Sequence, residues 1–316
     1  MGKTQLIRSI WSKKRNMSLN IRITQEKGFF KKEINIKDLI QSDYECGFRD
    51  VFGRLRHENY SYGTLVVYHP EHIGKGVIIP WKSSRREEIE LNVEFPATIY
   101  DIEVLYELTK RICAKWKTEM FYQNEEAYTL VNIEELCAIA KMNNMNHLAW
   151  NQGEDVEEGI VRLQGVMWPL YLKEEQIESF SLQQDAEGFA QFLHNYQKED
   201  LYYASPIVYR LPEDLGYVGI FAITATTESI IPMEPFRPMH SEAYPLNLFV
   251  VSLVSLEEQR IVGRISFADF LESVDAKHLE KYDEKHYLLP PLSEEEIHTM
   301  ARLEDPLKDF EISRER

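Results

Sequence analysis

The sequence has 316 residues, 44% of them hydrophobic and 12% aromatic, so the chain can bury a large core and is not extensively disordered. Its formal net charge is −16, from 36 Lys and Arg against 52 Asp and Glu. Residues 1–37 hold ten basic and two acidic residues, a charge of +8, which leaves −24 for the remainder. An acidic body repels nucleic acid and anionic membranes, so we expect neither as a partner. A basic protein is the partner that this charge would attract.

The composition also predicts the compartment. Three cysteines, Cys46, Cys113 and Cys137, are too few and too widely spaced for a disulfide framework. No apolar run approaches the roughly 20 residues needed to cross a bilayer, and residues 1–16 lack the continuous apolar segment of a signal peptide. We therefore expect a cytoplasmic protein with reduced thiols, and the sequence leaves its oligomeric state open.

Residues 1–16 differ from the rest of the chain, because Met17 immediately precedes the first strand-like alternation. We expect them to be a disordered or mis-annotated extension, so that either Met1 or Met17 is the true start. From Met17 to Glu94 the pattern predicts mainly β-structure. The strands are expected at residues 19–24, 33–36, 63–69, 77–81 and 90–95, and a short helix is expected at 36–41.

The segment from Pro96 to Trp150 has the clearest pattern. Thr98, with Asp101 three residues later, predicts a capping box at the start of a helix. Apolar residues then recur at helical spacing as far as Trp116, with charged residues on the opposite side. A hairpin (119–122 with 128–131) and a second helix, capped by Asn132 with Glu135, are expected next. This unit predicts architecture and indicates no chemistry.

The second half begins after the acidic segment 151–159, the best candidate for a domain boundary. Strands are expected at 160–163, 166–172, 207–211, 217–227, 246–255 and 260–265, the last two as a hairpin. Asp185, Ser266 and Ser293 are predicted helix caps. We predict an α+β fold of two β-rich halves, with amphipathic helices packed on mainly antiparallel sheets. The expected domains are 17–152 and 153–316, which can pack as one unit.

One stretch has the residue types of a metal site. His69-Pro70-Glu71-His72 places two imidazoles and a carboxylate within four residues, enough for part of a site. Pro70 argues against a helix and so against an HExxH-type arrangement, and the alternative is a solvated loop. A second cluster is interpreted as solvated surface: Asp275, His278, Asp283 and His286.

Other motifs are weaker. Gly74-Lys75-Gly76 could present N–H groups and a lysine to an anion, although a simple turn is the commoner use. Cys46 and His57 could form a nucleophile–base pair, but a core role is expected for Cys46, as for Cys113. There is no nucleotide-binding fingerprint, G-x-S-x-G elbow or kinase motif set. The sequence therefore assigns no catalytic residue and no cofactor.

Three structural patterns together resemble a known family. They are Pro96-Ala97-Thr98 through Asp101-Ile102 with the helix behind them, the hairpin from Val250 to Ile265, and Ser266-Phe267-Ala268-Asp269-Phe270-Leu271. From Met17 onward the chain resembles domain-of-unknown-function family 4299, whose members are Gram-positive bacterial proteins of similar length. The resemblance implies a bacterial protein and brings no catalytic residues.

Two hypotheses of function are compatible with these patterns. The acidic body and the lack of a catalytic motif favour a non-enzymatic interaction protein, of a partner-neutralising or immunity type, whose acidic face meets a basic partner. The alternative is a metal-dependent, hydrolase-like enzyme that uses His69, Glu71 and His72.

Overall fold

The computed structural model describes residues 18–25, 32–57, 62–82, 87–148, 159–212, 215–235, 246–310 and 313–314. The expected N-terminal extension, residues 1–16, lies outside these ranges, as does nearly all of the expected boundary segment 151–159. The chain divides into two compact units, Met1–Lys198 and Glu199–Arg316. The domain limits expected at 152 and 153 stay a prediction, while the division between the two units comes at Lys198.

The first unit is built on an antiparallel sheet with the strand order β3-β2-β4-β5-β6-β1-β7-β8. Its strands and helices are β1 (Ser18–Thr24), α1 (Ile36–Ile40), β2 (Glu45–Arg49), β3 (Leu55–Arg56), β4 (Tyr62–Tyr68), β5 (Val77–Lys82), β6 (Glu88–Glu94), α2 (Ile99–Trp116), β7 (Met120–Gln123), β8 (Glu126–Thr129), α3 (Ile133–Leu148), β9 (Ile160–Gln164), β10 (Pro169–Lys173), α4 (Glu174–Gln183) and α5 (Ala186–Gln197).

The inner face of this sheet is set by the alternation of β1. Leu19, Ile21 and Ile23 are fully buried, and their partners across the strand pair, on β6, are buried as well. These side chains form one cluster with the apolar face of α2. Burial of each such side chain contributes about 1.5–3 kcal/mol to the stability of the fold. The apolar alternation of β1 therefore determines which face of the sheet packs against α2. The residues between them point to the other side of the sheet.

Helix α2 begins as the sequence predicts. Thr98 Oγ1 accepts a hydrogen bond from Asp101 N at 3.0 Å, and Asp101 Oδ2 accepts one from Thr98 N at 2.8 Å, which confirms the capping box. The hairpin is also confirmed, with its turn at Asn124 and Glu125, both at positive φ. The cap of α3 differs. Asn132 Oδ1 accepts from Thr129 N at 3.2 Å and closes a short 3₁₀ turn before the helix.

Residues 159–197 belong to the first unit because they form hydrogen bonds with the edge strand β3 and with the loop between β4 and β5. Leu55 N donates to Met167 O at 2.9 Å, and Val166 N donates to Gly74 O at 3.0 Å. Gln197 on α5, almost fully buried, donates from Nε2 to Gly74 O at 2.9 Å. A small apolar cluster that contains Val166 adds to these contacts. The partners lie about 90 or more positions away in the sequence, so no local pattern could indicate them.

The second unit has two sheets, with the strand orders β16-β15-β13-β12-β19 and β11-β14-β18-β17 among the described residues. Its elements are β11 (Tyr202–Tyr203), β12 (Ile207–Arg210), β13 (Tyr217–Thr224), β14 (Ser229–Pro232), β15 (Leu246–Ser255), β16 (Arg260–Ser266), α6 (Phe267–Ser273), β17 (Glu280–Lys281), β18 (His286–Leu289), α7 (Glu294–Met300) and β19 (Ser313–Arg314). The pairs β13–β15 and β11–β14 are parallel and the others antiparallel. The predicted α+β class with mainly antiparallel sheets is confirmed.

Several local predictions for these elements are confirmed and one is wrong. The hairpin of β15 and β16 forms as expected, and Ser266 and Ser293 cap α6 and α7. Asp185 caps α5 by accepting from Gly188 N at 2.8 Å. The strand expected at 33–36 does not form, because Asn35 makes a capping box with Asp38. The short helix expected at 36–41 is confirmed as α1.

In the described part of the chain, no helix combines the length and the apolar character that crossing a bilayer requires.

Candidate functional site

The outer face of the first sheet carries an open depression of about 720 Å³. It lies across β5, β6, β1 and β7, on the side opposite α2. The outward residues of β1 and β6 are polar, whereas those that β5 contributes, Ile78 and Pro80, are apolar. Its lining is Asn20, Ile21, Arg22, Ile78, Pro80, Glu90, Asn92, Glu94, Tyr122, Asn124 and Glu125. We call this surface the acidic sheet face.

Charge on the acidic sheet face is unbalanced. Arg22 forms an ion pair with Glu88 at 3.1 Å, and its guanidinium lies 4.6 Å from the centre of the Tyr122 ring. Glu90, Glu94 and Glu125 are exposed. With Glu88 these are four carboxylates against one guanidinium, a formal charge of −3 for the surface side chains before the buried Lys75 and Arg49 near Glu94 are counted. The face can therefore attract cations, while the aromatic ring supplies apolar contact.

The floor of the face is held by amide side chains. Asn92 Nδ2 donates to Asn20 Oδ1, on the neighbouring strand, and Asn20 N donates to Asn124 Oδ1 at 3.1 Å. Tyr122 lies opposite Arg22 in the ladder between β1 and β7. The residues that line the depression are thus positioned by sheet register and by the β7–β8 turn.

Buried cations lie near one edge of this face. Burial lowers the pKa of Lys75 to about 8, although nearby Glu94 and Asp101 act in the opposite direction. Burial likewise lowers the pKa of Arg49 to about 10, with Glu94 again opposing. Arg49 donates from one terminal nitrogen to Gly165 O at 3.3 Å, and within the described residues its buried Nε has no partner. The carboxylate of Glu94 therefore offsets part of the cost of burying Lys75 and Arg49.

The Gly74-Lys75-Gly76 segment does bind an anion, but an internal one. The backbone N–H groups of Lys75 and Gly76 donate to the carboxylate of Asp101 at 3.0 and 2.7 Å. Asp101 is 2% exposed and also caps α2 through Thr98. Because this carboxylate occupies the N–H groups of the segment, they are not available to a ligand.

Residues 69–72, here called the histidine turn, lie between β4 and β5. His72 N donates to His69 O at 3.1 Å, and Glu71 N donates to His69 Nδ1 at 3.2 Å. One ligand atom from each of His69, Glu71 and His72 lies within 4.8 Å of the other two. The structure thus brings together the three residues that the sequence singled out; whether they bind a metal stays a prediction.

Aromatic rings hold the histidine turn in place. The ring of His72 stacks on Tyr100, with centroids 3.6 Å apart and planes 3° apart. His69 makes an edge contact with Tyr44 at 6.0 Å and lies 5.0 Å from the His72 ring. Tyr100 is itself fixed by a 2.6 Å hydrogen bond from its hydroxyl to Glu187. Both imidazoles are therefore oriented by residues from other elements.

A third histidine approaches the turn from α5. His194 Nδ1 accepts a hydrogen bond from Ile73 N at 3.1 Å. Burial, and next the neighbouring His72, lower the pKa of His194, which favours its neutral form. Asp43 also interacts electrostatically with the turn: hydrogen bonds from Ser42 and Arg111, with a smaller effect of His69, lower its pKa. No sequence pattern indicated either neighbour, since both come from distant segments.

The second histidine cluster consists of one exposed pair of residues and one buried pair. His278 and Asp275 are exposed and 2.8 Å apart, as expected for solvated residues. The same interpretation is wrong for Asp283 and His286, which are 5% and 1% exposed. Hydrogen bonds join His286 Nδ1 to Asp283 Oδ1 at 2.8 Å and His286 Nε2 to the Tyr203 hydroxyl at 3.1 Å. This chain of buried hydrogen bonds fixes β18 in the second unit.

The cysteines do not form a nucleophilic site. All three thiols are free. His57 Nδ1 lies 3.3 Å from the carbonyl oxygen of Cys46, a contact with the backbone and not with the thiol. Burial raises the pKa of Cys46 and raises that of Cys113 to about 11, which disfavours the reactive thiolates. The predicted core role of Cys113 is confirmed by its complete burial.

Alternation was the one sequence signal for the acidic sheet face. Glu88, Glu90, Asn92 and Glu94 occupy every second position of β6, which places them on one side. The alternation could not show that Arg22 and Tyr122 join them, because strand order decides that.

No curated protein and no solved structure matches this chain. A family model, described as a domain of unknown function, DUF4299, matches residues 18–300, which include every described strand apart from β19. The match confirms the family that the helix at Thr98, the hairpin and the Ser266 segment resemble. The chain therefore belongs to the DUF4299 family.

Proposed function

We propose that this chain is a non-enzymatic interaction protein of the bacterial cytoplasm, of a partner-neutralising or immunity type, whose acidic sheet face binds a basic segment of a partner protein. The observation that carries the proposal is the open depression of about 720 Å³, with a formal charge of −3 among the surface side chains on and beside its lining. The three free thiols are consistent with a reducing compartment.

The chemistry of the face fits lysine and arginine side chains. Glu90 offers an exposed carboxylate from β6 and Glu125 offers one from the β7–β8 turn. The Tyr122 ring, which Arg22 already contacts, adds apolar surface beside them. Exposed ion pairs are worth about 0.2–1 kcal/mol each, so loss of three would weaken binding by roughly tenfold at low salt. Long-range attraction to the rest of the acidic chain would add to the association rate.

The test compares two triple variants of equal charge. In the site variant, Glu90, Glu94 and Glu125 are each replaced by Gln. In the control, the exposed Glu272, Glu280 and Glu295 of the second unit are replaced in the same way. Tagged proteins are purified from their own cells at low ionic strength, and bound proteins are identified by mass spectrometry. Affinity for a fluorescein-labelled Lys/Arg-rich peptide is measured in parallel.

We expect a basic protein that binds the wild type and the control, is released as salt rises, and is lost from the site variant. The labelled peptide should lose about tenfold in affinity for the site variant alone. Equal losses in both triple variants would mean that only net charge matters. That result, or recovery of the protein without a partner, would refute binding at this face.

A further inference from the structure

We propose that the histidine turn binds one divalent transition-metal ion of the zinc or nickel class through His69, Glu71 and His72. This site lies on a different part of the first unit from the acidic sheet face, and it does not depend on partner binding. Three features support it: the approach of the ligand atoms, the fixed orientation of the rings, and the chemistry of the donor set.

The ligand atoms are close to coordination geometry. Metal–nitrogen and metal–oxygen distances near 2.1 Å in a tetrahedral site put ligand atoms about 3.4 Å apart. The three ligand atoms of the turn are within 4.8 Å of one another without any ion. Because Glu71 is exposed, rotation of its side chain can supply much of the remaining approach.

The rings are positioned before an ion arrives. His72 is stacked on Tyr100 at 3.6 Å, and His69 is half-buried against Tyr44. Fixed rings lose little conformational freedom on binding, and this favours affinity. The turn itself is closed by the hydrogen bond from His72 N to His69 O.

The donor set selects the class of ion. Two imidazoles and one carboxylate suit zinc, nickel and related first-row ions, whereas magnesium and calcium prefer oxygen ligands throughout. One hydrogen bond opposes binding: Glu71 N donates to His69 Nδ1, so coordination through either ring nitrogen breaks this bond. If the ion binds Nδ1 of His69, it takes the place of the Glu71 N–H as the partner of that nitrogen. If it binds Nε2, the ring proton must first move from Nε2 to Nδ1, which can then no longer accept a hydrogen bond. The loss of one such bond reduces affinity by about tenfold at most.

The experiment uses the full chain, stripped of metal with a chelator and titrated with ZnCl₂ and with NiCl₂ in a calorimeter at pH 7.5. We expect one ion per chain and a rise in the unfolding temperature on binding. His69→Ala and His72→Ala should each weaken Zn²⁺ binding by more than tenfold, since loss of even a supporting group near a metal costs about 10–100-fold. Glu71→Gln should weaken it as well, by removing the anionic ligand.

His278→Ala is the matched control. This histidine is exposed and lies beside Asp275, but among the described residues the pair belongs to no three-ligand cluster, so binding should not change. If an alanine variant fails to fold, as judged by its tryptophan fluorescence, His69→Gln and His72→Gln replace it.

Failure to bind either ion, or wild-type affinity in the His69 and His72 variants, would overturn the proposal. Neither result bears on the acidic sheet face, since the histidine variants leave its residues unchanged. A hydrolase-like function at His69, Glu71 and His72 would require this ion, so absence of binding would also remove that alternative.

Discussion

Replacement of Lys75 by methionine tests the electrostatics of the first unit. Lys75 is 5% exposed, and burial lowers the pKa of its ammonium from 10.5 to about 8. A shift of one unit corresponds to about 1.4 kcal/mol, so the protonated lysine reduces the free energy of unfolding by about 3 kcal/mol at neutral pH. Methionine has a similar length and carries no charge. We therefore expect Lys75→Met to stabilise the first unit by about 1–3 kcal/mol at pH 7.

The pH dependence has a definite sign. Between about pH 8 and 10.5 the unfolded chain still holds the proton that the folded chain has released, so wild-type stability rises with pH through this window. Below pH 8 the lysine is charged in both states and the penalty is complete. The advantage of Lys75→Met should therefore be largest below pH 8 and should disappear as the pH approaches 10.5.

Urea denaturation followed by tryptophan fluorescence measures the effect. All five tryptophans lie within residues 1–198, so the signal reports on the first unit alone. The control is Lys82→Met, at an exposed position of β5, which should change stability by less than about 0.5 kcal/mol. If Lys75→Met destabilises the first unit at pH 7 by more than about 1 kcal/mol, Lys75 is a net stabilising group and the reasoning is refuted.

Two further predictions concern buried groups. Asp101→Ala should destabilise the first unit by about 3–5 kcal/mol, since buried N–H groups of Thr98, Lys75 and Gly76 lose their acceptor; an unchanged urea midpoint would contradict this. Cys113, fully buried and with its pKa raised to about 11, should react with iodoacetamide at pH 8 only after unfolding, as measured by mass spectrometry of its peptide. Alkylation of Cys113 in the folded chain at the rate of a free thiol would contradict the second prediction.

Helix starts were predictable because a cap is a local arrangement. Thr98 and Asp101 are three residues apart, and the hydrogen bonds between them depend on nothing distant. The same holds for Ser266 and Ser293, which cap α6 and α7. Where local signals competed, the prediction failed. Asn35 is both part of the strand-like alternation at 33–36 and a good cap for the helix expected after it, and the cap determined the structure.

Burial of polar residues was less predictable. Asp283 and His286 stand in a charged stretch of sequence, yet both are buried because Tyr203, from a distant strand, completes their hydrogen bonds. A buried polar group is tolerated once its partners are in place, and those partners are set by the fold. Composition alone therefore assigned these two residues to the wrong environment.

For the two candidate sites, too, some features were predictable from the sequence and others were not. The sequence by itself determined that His69, Glu71 and His72 are close, since four consecutive residues cannot separate far, and that β6 has a polar face, since strands alternate. Only the tertiary structure decided that Tyr100 and His194 flank the histidine turn, and that Arg22 and Tyr122 share a face with Glu90. The physical reason is range: caps and alternation depend on neighbours in the chain, whereas ring stacking and cross-strand contacts depend on sheet order and long-range packing.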